Sequence, residues 1–390
     1  MCSLETREAV VAGARKRLTM ENGNERRTKE GVMAAYTFRS INKNQLGWHA
    51  DMGGNVLEWL YLDGWMDNDY KYTLVLASRM DMGENVVGPE KGDWPLVDCG
   101  ITSPEGVTQR DTKAFPIEEL KLETWGATIG DNVFTGSLTP DGLPSGYRVK
   151  VAVGRVGMDI DVEAICTGIR FVEEEHGYIY YDPTTNTGAA WWPLVPNGKV
   201  KGTLTFDGKK VPVTGFGYCE RQLGNTKMLM ADWVSHWAYG KFWAGDYMAS
   251  WTYTAAPESM QYLPFSPLVL WKGSDIVLST HNLSVSIDKM EFDPVIGMPF
   301  PTAETIHATE GNTELRALLL PGTIAERDLM VNNPGTSPEK PGCYFRQWCE
   351  VDIEIRRLDR KEHIRGKCLH EFGWISQVFP VPGRHPIPGK

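Results

Sequence analysis

The chain has 390 residues, enough for two domains with sizeable buried cores. Its 42% hydrophobic and 23% charged content is ordinary for a globular protein and excludes a disordered chain. The net charge of −10 argues against nucleic acid as a partner, because phosphate binding needs clustered Lys and Arg.

No apolar run of about 18 residues occurs, so no membrane span is expected. The first residues carry scattered charge (Glu5, Arg7, Arg15, Lys16, Arg17) and no apolar signal region, so a secretory leader is not expected either. Seven cysteines are dispersed, odd in number and without a CxxC pair. That usage fits unpaired thiols in a reducing compartment, and a cytoplasmic protein is expected.

Residues 1–35 read as a charged appendage without turn chemistry. From Tyr36 onward the pattern is β. Tyr72–Ala77 is β-branched and aromatic, and Gly146–Gly154 alternates Tyr147, Val149, Val151 and Val153 with polar or small residues. Met158–Ile165 alternates in the same way, and Thr203–Val213 reads as a hairpin turning at Asp207-Gly208. Trp191-Trp192 before Pro193 reads as a loop lid or an edge plug. Later, Leu268–Lys272, Asp275–Thr280 and the segment from Leu283 form short strands. Trp348–Arg357 sets Cys349, Val351, Ile353 and Ile355 against Glu350, Asp352, Glu354 and Arg356. Many short antiparallel strands without a long amphipathic helix predict an all-β chain of barrels or sandwiches.

The sequence lacks GxGxxG after a strand, GxxxxGK[ST], HExxH and GxSxG. Its eight histidines are scattered at spacings that match no metal site. No cofactor and no metal are expected, which leaves acid–base chemistry, electrostatics and shape.

The densest candidate region runs from Val211 to Tyr253. It opens with Gly215-Phe-Gly-Tyr-Cys-Glu-Arg-Gln-Leu-Gly-Asn225 and continues through Trp233, Trp237, Tyr239, Phe242, Trp243, Tyr247, Trp251 and Tyr253. Glu220, Asp232 and Asp246 are interleaved with these rings. A carboxyl in a dry aromatic pocket is disfavoured in its ionised form, which suits a proton donor working near neutral pH. The alternative is that the aromatics fill a core and the acids face water or form structural pairs.

Two stretches carry a family resemblance. Glu58-Trp-Leu-Tyr-Leu-Asp-Gly64 resembles the EWWYF-G signature of the carotenoid hydratase (hydroxyneurosporene synthase) and AttH-like proteins. Gly217-Tyr-Cys-Glu-Arg-Gln-Leu-Gly224 is similar to their central GY-x-D-H-x-x-G stretch. Ile101–Gly106, Phe115–Leu120 with Trp125 and Asn132, and Ile364–Phe372 follow the family's style, so the likeness spans roughly Tyr36 to Phe372. Glu220 replaces the family's Asp, and Arg221 stands where His is common.

The resemblance implies two packed lipocalin-like antiparallel β-barrels, with a pocket near their junction. On that basis we expect an N-terminal barrel over 36–228 and a C-terminal barrel over 229–390. The family includes hydratases of isolated double bonds as well as fungal cofactor-free cyclases, isomerases and Diels–Alderases. Loss of the family's His speaks for an isomerase or cyclase of a hydrophobic small molecule, with a hydratase or a lipophilic-ligand carrier as alternatives. Glu220, Arg221 and Asp246 are the candidate catalytic residues. Trp59, Tyr61, Tyr218, Trp233, Trp237, Trp243, Tyr247 and Trp251 are the candidate binding residues.

Overall fold

The computed structural model describes residues 38–49, 56–80, 94–171, 176–182, 187–225, 234–255, 264–330, 342–358 and 360–375. The expected appendage 1–35, the boundary after residue 228 and Trp233 lie outside the described residues. Among the described residues strands account for 75% and helix for 3%. The α-helix among the described residues is one turn, Lys43–Leu46, held by a capping box between Asn42 and Gln45.

A twelve-stranded antiparallel sheet forms the first half. Its path runs Thr108–Ala114, Trp94–Thr102, Lys71–Met80, Val56–Met66, Lys209–Asn225, Thr187–Phe206, Val156–Ala164, Pro144–Val153, Asn132–Leu138, Gly126–Ile129, Leu120–Glu123. Tyr180–Asp182 pairs with Thr187–Phe206 beside that path. The hairpin at Asp207-Gly208 has positive φ at both turn residues, 51° and 72°, the twist that matches paired strands. The sheet is curled: the Arg155 N–H donates to Asp111 Oδ2 at 2.8 Å and the Asp207 N–H to Gln109 Oε1 at 2.9 Å, joining its edge strand to turns on the far side. Alternation fills the concave side with Leu60, Leu62, Leu74, Leu76, Val149 and Ile160.

The second half is an eleven-stranded antiparallel sheet. Its path runs Asp275–Thr280, Leu268–Lys272, Tyr247–Ala255, His236–Ala244, Arg360–Trp374, Gly342–Arg357, Thr313–Leu319, Pro299–Glu310, Leu283–Phe292. It also curls, since the Ser279 N–H donates to Glu310 Oε2 at 3.1 Å and Thr280 Oγ1 to the Thr309 carbonyl at 2.9 Å. Neither backbone ladder closes on itself among the described residues.

The two sheets meet along a seam, and strand parity decides what enters it. On Val56–Met66 the odd residues Trp59, Tyr61 and Trp65 face the seam, while Leu60 and Leu62 enter the first core. On His236–Ala244, Trp237, Tyr239 and Trp243 face the seam, while Ala238, Phe242 and Ala244 enter the second core. Trp191 and Trp192 correct the expectation of a lid or plug. They lie within a strand, paired with Gln222 and Arg221, and point to opposite faces: Trp191 joins the seam cluster and Trp192 the first core. Pro193 does not end the strand because the register slips just beyond it.

Gly240 lets the Trp251 ring lie across its strand: a Cβ there would sit 2.4 Å from that ring and 2.9 Å from the Leu369 carbonyl. Gly240→Ala should therefore destabilise the chain by about 1–3 kcal/mol, read as a lowered denaturant midpoint.

Candidate active site

Glu220 lies at the centre of the seam, on the first sheet's Lys209–Asn225 strand, and is fully buried. Its even position turns the carboxyl towards the second sheet. Three donors converge on Oε2: the Tyr218 hydroxyl at 2.5 Å, the Tyr239 hydroxyl at 2.6 Å and the Trp191 Nε1–H at 2.5 Å. Gln222 Nε2 donates to Oε1 at 2.5 Å. Tyr239 comes from the second sheet and the other three from the first, so both halves build the site. Burial, then the Glu220 charge, holds the Tyr218 and Tyr239 hydroxyls well above the ordinary tyrosine range, so both keep their protons. The Tyr218 hydroxyl also meets Ser250 Oγ at 3.4 Å.

One step along the seam stands a buried ion pair. Lys241 Nζ of the second sheet donates to Asp63 Oδ2 of the first and to the Tyr239 hydroxyl at 2.7 Å. Both charged side chains are fully buried. The ammonium lies over three aromatic rings, with centroids at 3.7 Å for Tyr218 and 4.7 Å for Tyr61 and Tyr239. Burial pushes the Asp63 carboxyl up to about 6, with Lys241 pulling against that shift and the Glu220 charge adding to it. Tyr61 acts on Asp63 from beside it, yet neither its hydroxyl nor Asp63 Oδ1 makes a well-formed hydrogen bond.

Beyond Tyr61 a chain of charges clasps the sheets. Arg346 Nε donates to Glu371 Oε1 at 2.7 Å and Nη1 to Glu326 Oε2 at 2.5 Å. Arg110 of the first sheet bonds Glu326 of the second and, through Nε at 2.7 Å, Asp98 of its own sheet. Arg346 is the buried link in this chain. Arg346→Met should cost about 3 kcal/mol, because it leaves Glu371 without its partner at the seam. Equilibrium denaturation measures this; a loss under about 1 kcal/mol would make the clasp ornamental.

The other predicted residues separate by parity. Trp59, Tyr61, Tyr218, Trp237 and Trp243 belong to the seam cluster, with Trp59 and Trp237 half-buried. Tyr247 and Trp251 lie in the second core, on the far side of their strand, where the Tyr247 hydroxyl donates to Glu362 Oε2 at 3.0 Å. Asp246 is exposed in the hairpin turn after Gly245, whose φ is 57°. Arg221 shares a strand with Glu220 but points the opposite way. It bonds the Gly47 carbonyl, approaches Glu58 Oε1 at 3.4 Å and covers the Trp48 ring at 4.3 Å. Glu58 also accepts from the His49 N–H at 2.7 Å, so Arg221 sits in a second buried group inside the first sheet.

No family model matches the chain, and no curated protein matches it in sequence. Solved structures do match its backbone. NE1406, an AttH-type protein of Nitrosomonas europaea, is 13% identical with a TM-score of 0.59, over 86% of this chain and 98% of its own. CghA, a fungal Diels–Alderase, is 12% identical with a TM-score of 0.61, over 89% of this chain and 100% of its own. The chain has the AttH-like fold. Kievitone hydratase of Nectria haematococca shares it at 14% identity and a TM-score of 0.53, over 87% of this chain and 97% of its own. Within this AttH-like fold, Glu58–Gly64 and Gly217–Gly224, the stretches that carried the resemblance, pair directly with each other: Tyr61 lies opposite Glu220 and Asp63 opposite Tyr218.

Sequence reasoning did not single out Asp63, Trp191, Gln222, Tyr239, Lys241 or Ser250 as parts of the site. One signal was present. Lys241 is the only Lys or Arg between Trp233 and Tyr253, and a lone cation inside an aromatic strand needs a buried partner.

Proposed function

We propose that this protein is a cofactor-independent isomerase or cyclase that works on a largely apolar small molecule at the seam, with Glu220 as proton donor. The observation that carries this reading is a buried carboxyl held by four donors from both sheets and walled by aromatic rings. Packed apolar side chains of the same volume would stabilise the seam as well or better, so a polar centre here points to chemistry. The reading takes the two curled sheets as two lipocalin-like barrels, over 36–228 and 229–390. It is supported by fold neighbours that include a Diels–Alderase, solved with Sch210972, and a hydratase.

Glu220 would protonate a carbonyl, epoxide or alkene of the substrate. Aromatic faces along the seam would stabilise positive charge as it develops. Trp59, Trp237 and Trp243 would hold the molecule folded towards ring closure, which lowers the entropy barrier. Arg221 and Asp246 take no part in this reading, because they lie on other faces of the chain.

The test compares, by mass spectrometry, small molecules in the producing organism with and without this gene. A precursor that accumulates on deletion and has the same mass as the lost product supports an isomerase or cyclase. A product heavier by one water turns the reading to a hydratase. An unchanged profile, with an apolar compound co-purifying, makes the protein a carrier.

A further inference from the structure

Six buried side chains form one hydrogen-bonded line across the seam: Asp63, Lys241, Tyr239, Glu220, Tyr218 and Ser250. Consecutive links are direct, at 2.7 Å from Lys241 to Tyr239, 2.6 Å from Tyr239 to Glu220 and 2.5 Å from Tyr218 to Glu220. The line holds two carboxyls and one ammonium. With both acids ionised it carries a net negative charge in a region sealed from solvent, and one added proton makes it neutral. Low dielectric strongly favours the neutral arrangement.

We infer that Asp63 and Glu220 act as one coupled acid, sharing a single proton that passes between them through Lys241 and Tyr239. This rests on the reading of Glu220 as the donor and adds the source of its proton. Below about pH 6 Asp63 carries the proton, while the four donors around Glu220 satisfy its oxygens. On transfer, Tyr239 gives its proton to Glu220 and takes one from the Lys241 ammonium, whose N–H bond breaks; the neutral amine so formed then takes the Asp63 proton as that O–H bond breaks. Lys241 and Tyr239 end unchanged, Asp63 ends as the carboxylate, and Glu220 ends as the acid beside the substrate. No redox partner is needed.

The surroundings agree with this direction of storage. Asp63 faces Lys241 and Tyr239 from the second sheet, with Tyr61 and Tyr218 from its own. Arg346 and Glu371 act beyond Tyr61, and Tyr72, Tyr147 and Cys219 feel Asp63 from the other side of the sheet. Around Glu220 stand Tyr218, Tyr239, Trp191 and Gln222. Glu220 is met by four donors, whereas Asp63 Oδ1 has no well-formed hydrogen bond, so the added proton finds its place on Asp63. Burial already lifts the Asp63 carboxyl to about 6, with the Glu220 charge contributing.

Infrared difference spectroscopy on the full chain, with carboxyl-labelled aspartate to separate Asp from Glu, tests the coupling without a substrate. Wild type should show one aspartic acid C=O band that persists above the surface carboxyls and disappears around the value of about 6. In Glu220→Gln that midpoint should fall by about one unit or more, because Lys241 then balances the only remaining acid. In Asp63→Asn the aspartate band should vanish. Tyr239→Phe should leave the midpoint within about half a unit but slow turnover, since it cuts the path and keeps the charges. Thermal midpoints recorded alongside identify any variant that has not folded, and the remaining variants carry the test. An aspartate midpoint that ignores Glu220→Gln in a folded protein overturns the coupling, as does the absence of the band in wild type. Full activity of Glu220→Gln would instead remove Glu220 as donor, while the infrared result would still report on coupling.

Discussion

Glu220→Gln should leave a folded protein whose turnover is reduced by about 10²–10⁴-fold, the range a positioned general acid supplies. The structure says why this variant isolates chemistry from shape. A Gln amide can keep its carbonyl oxygen towards Tyr218, Tyr239 and Trp191, which all donate to Oε2. Its NH₂ then faces Gln222, whose amide, half-buried and free to flip, turns its oxygen inward to accept. Every buried polar atom stays paired, and the fold should lose only about 1 kcal/mol. Glu220→Leu is the control: it abandons four donors at once and should cost several times more. The decisive measurement is kcat/KM for the gene-dependent substrate, beside a thermal midpoint. Turnover within a fewfold of wild type in folded Glu220→Gln would leave the seam as a template that acts by conformation alone.

Lys241→Met should cost more stability than any other single substitution at the seam, about 3–5 kcal/mol at neutral pH. It strands the fully buried Asp63 carboxylate, removes the tie between the two sheets and takes away the cation stacked on Tyr218. The pH dependence has a definite sign. Asp63 in the folded chain is already pushed up to about 6, above its unfolded value, so its neutral form is the one the fold favours. Without Lys241 that shift grows, and the loss should shrink as pH falls towards about 5, where Asp63 takes a proton and needs no counter-charge. Asp63→Asn combined with Lys241→Met should recover roughly half of the loss, because the stranded charge is gone. Denaturant titrations of the three variants at two pH values measure all of this. A cost below about 1 kcal/mol, or one that grows on acidification, would show that the pair does not hold the seam.

The fold was legible where period two was clean. Cys349, Val351, Ile353 and Ile355 do face inward from Gly342–Arg357, and Val149 and Val151 from Pro144–Val153. Such alternation fixes which side of a strand is buried, but not how far a sheet curls or whether it closes, since both depend on register summed over many strands. The site was legible in part. Glu220 stood out through its motif, but its surroundings come from strands far along the chain. Asp63 and Lys241 are 178 positions apart, and no local pattern reports that pairing. Parity explains the rest. Trp243, Tyr247 and Trp251 recur every four residues, but a turn at Gly245-Asp246 falls between them and sends the latter two into the second core. Arg221 is adjacent to Glu220 in sequence, and for that reason it is on the other face.

The pairing of Val56–Met66 with Lys209–Asn225 has a consequence for how the chain reaches this state. A ribosome releases the first of these strands long before the second, so until Lys209–Asn225 has been made one side of Val56–Met66 has no ladder partner. Contacts between such distant segments are slow to form, typically over milliseconds to seconds, and the waiting edge is open to other chains. The seam arrives later still, when the second sheet has folded against the first. Yield in a foreign host should therefore depend on synthesis rate and chaperone supply more than on final stability. Slower translation at low temperature is the condition under which the seam has the best chance to assemble.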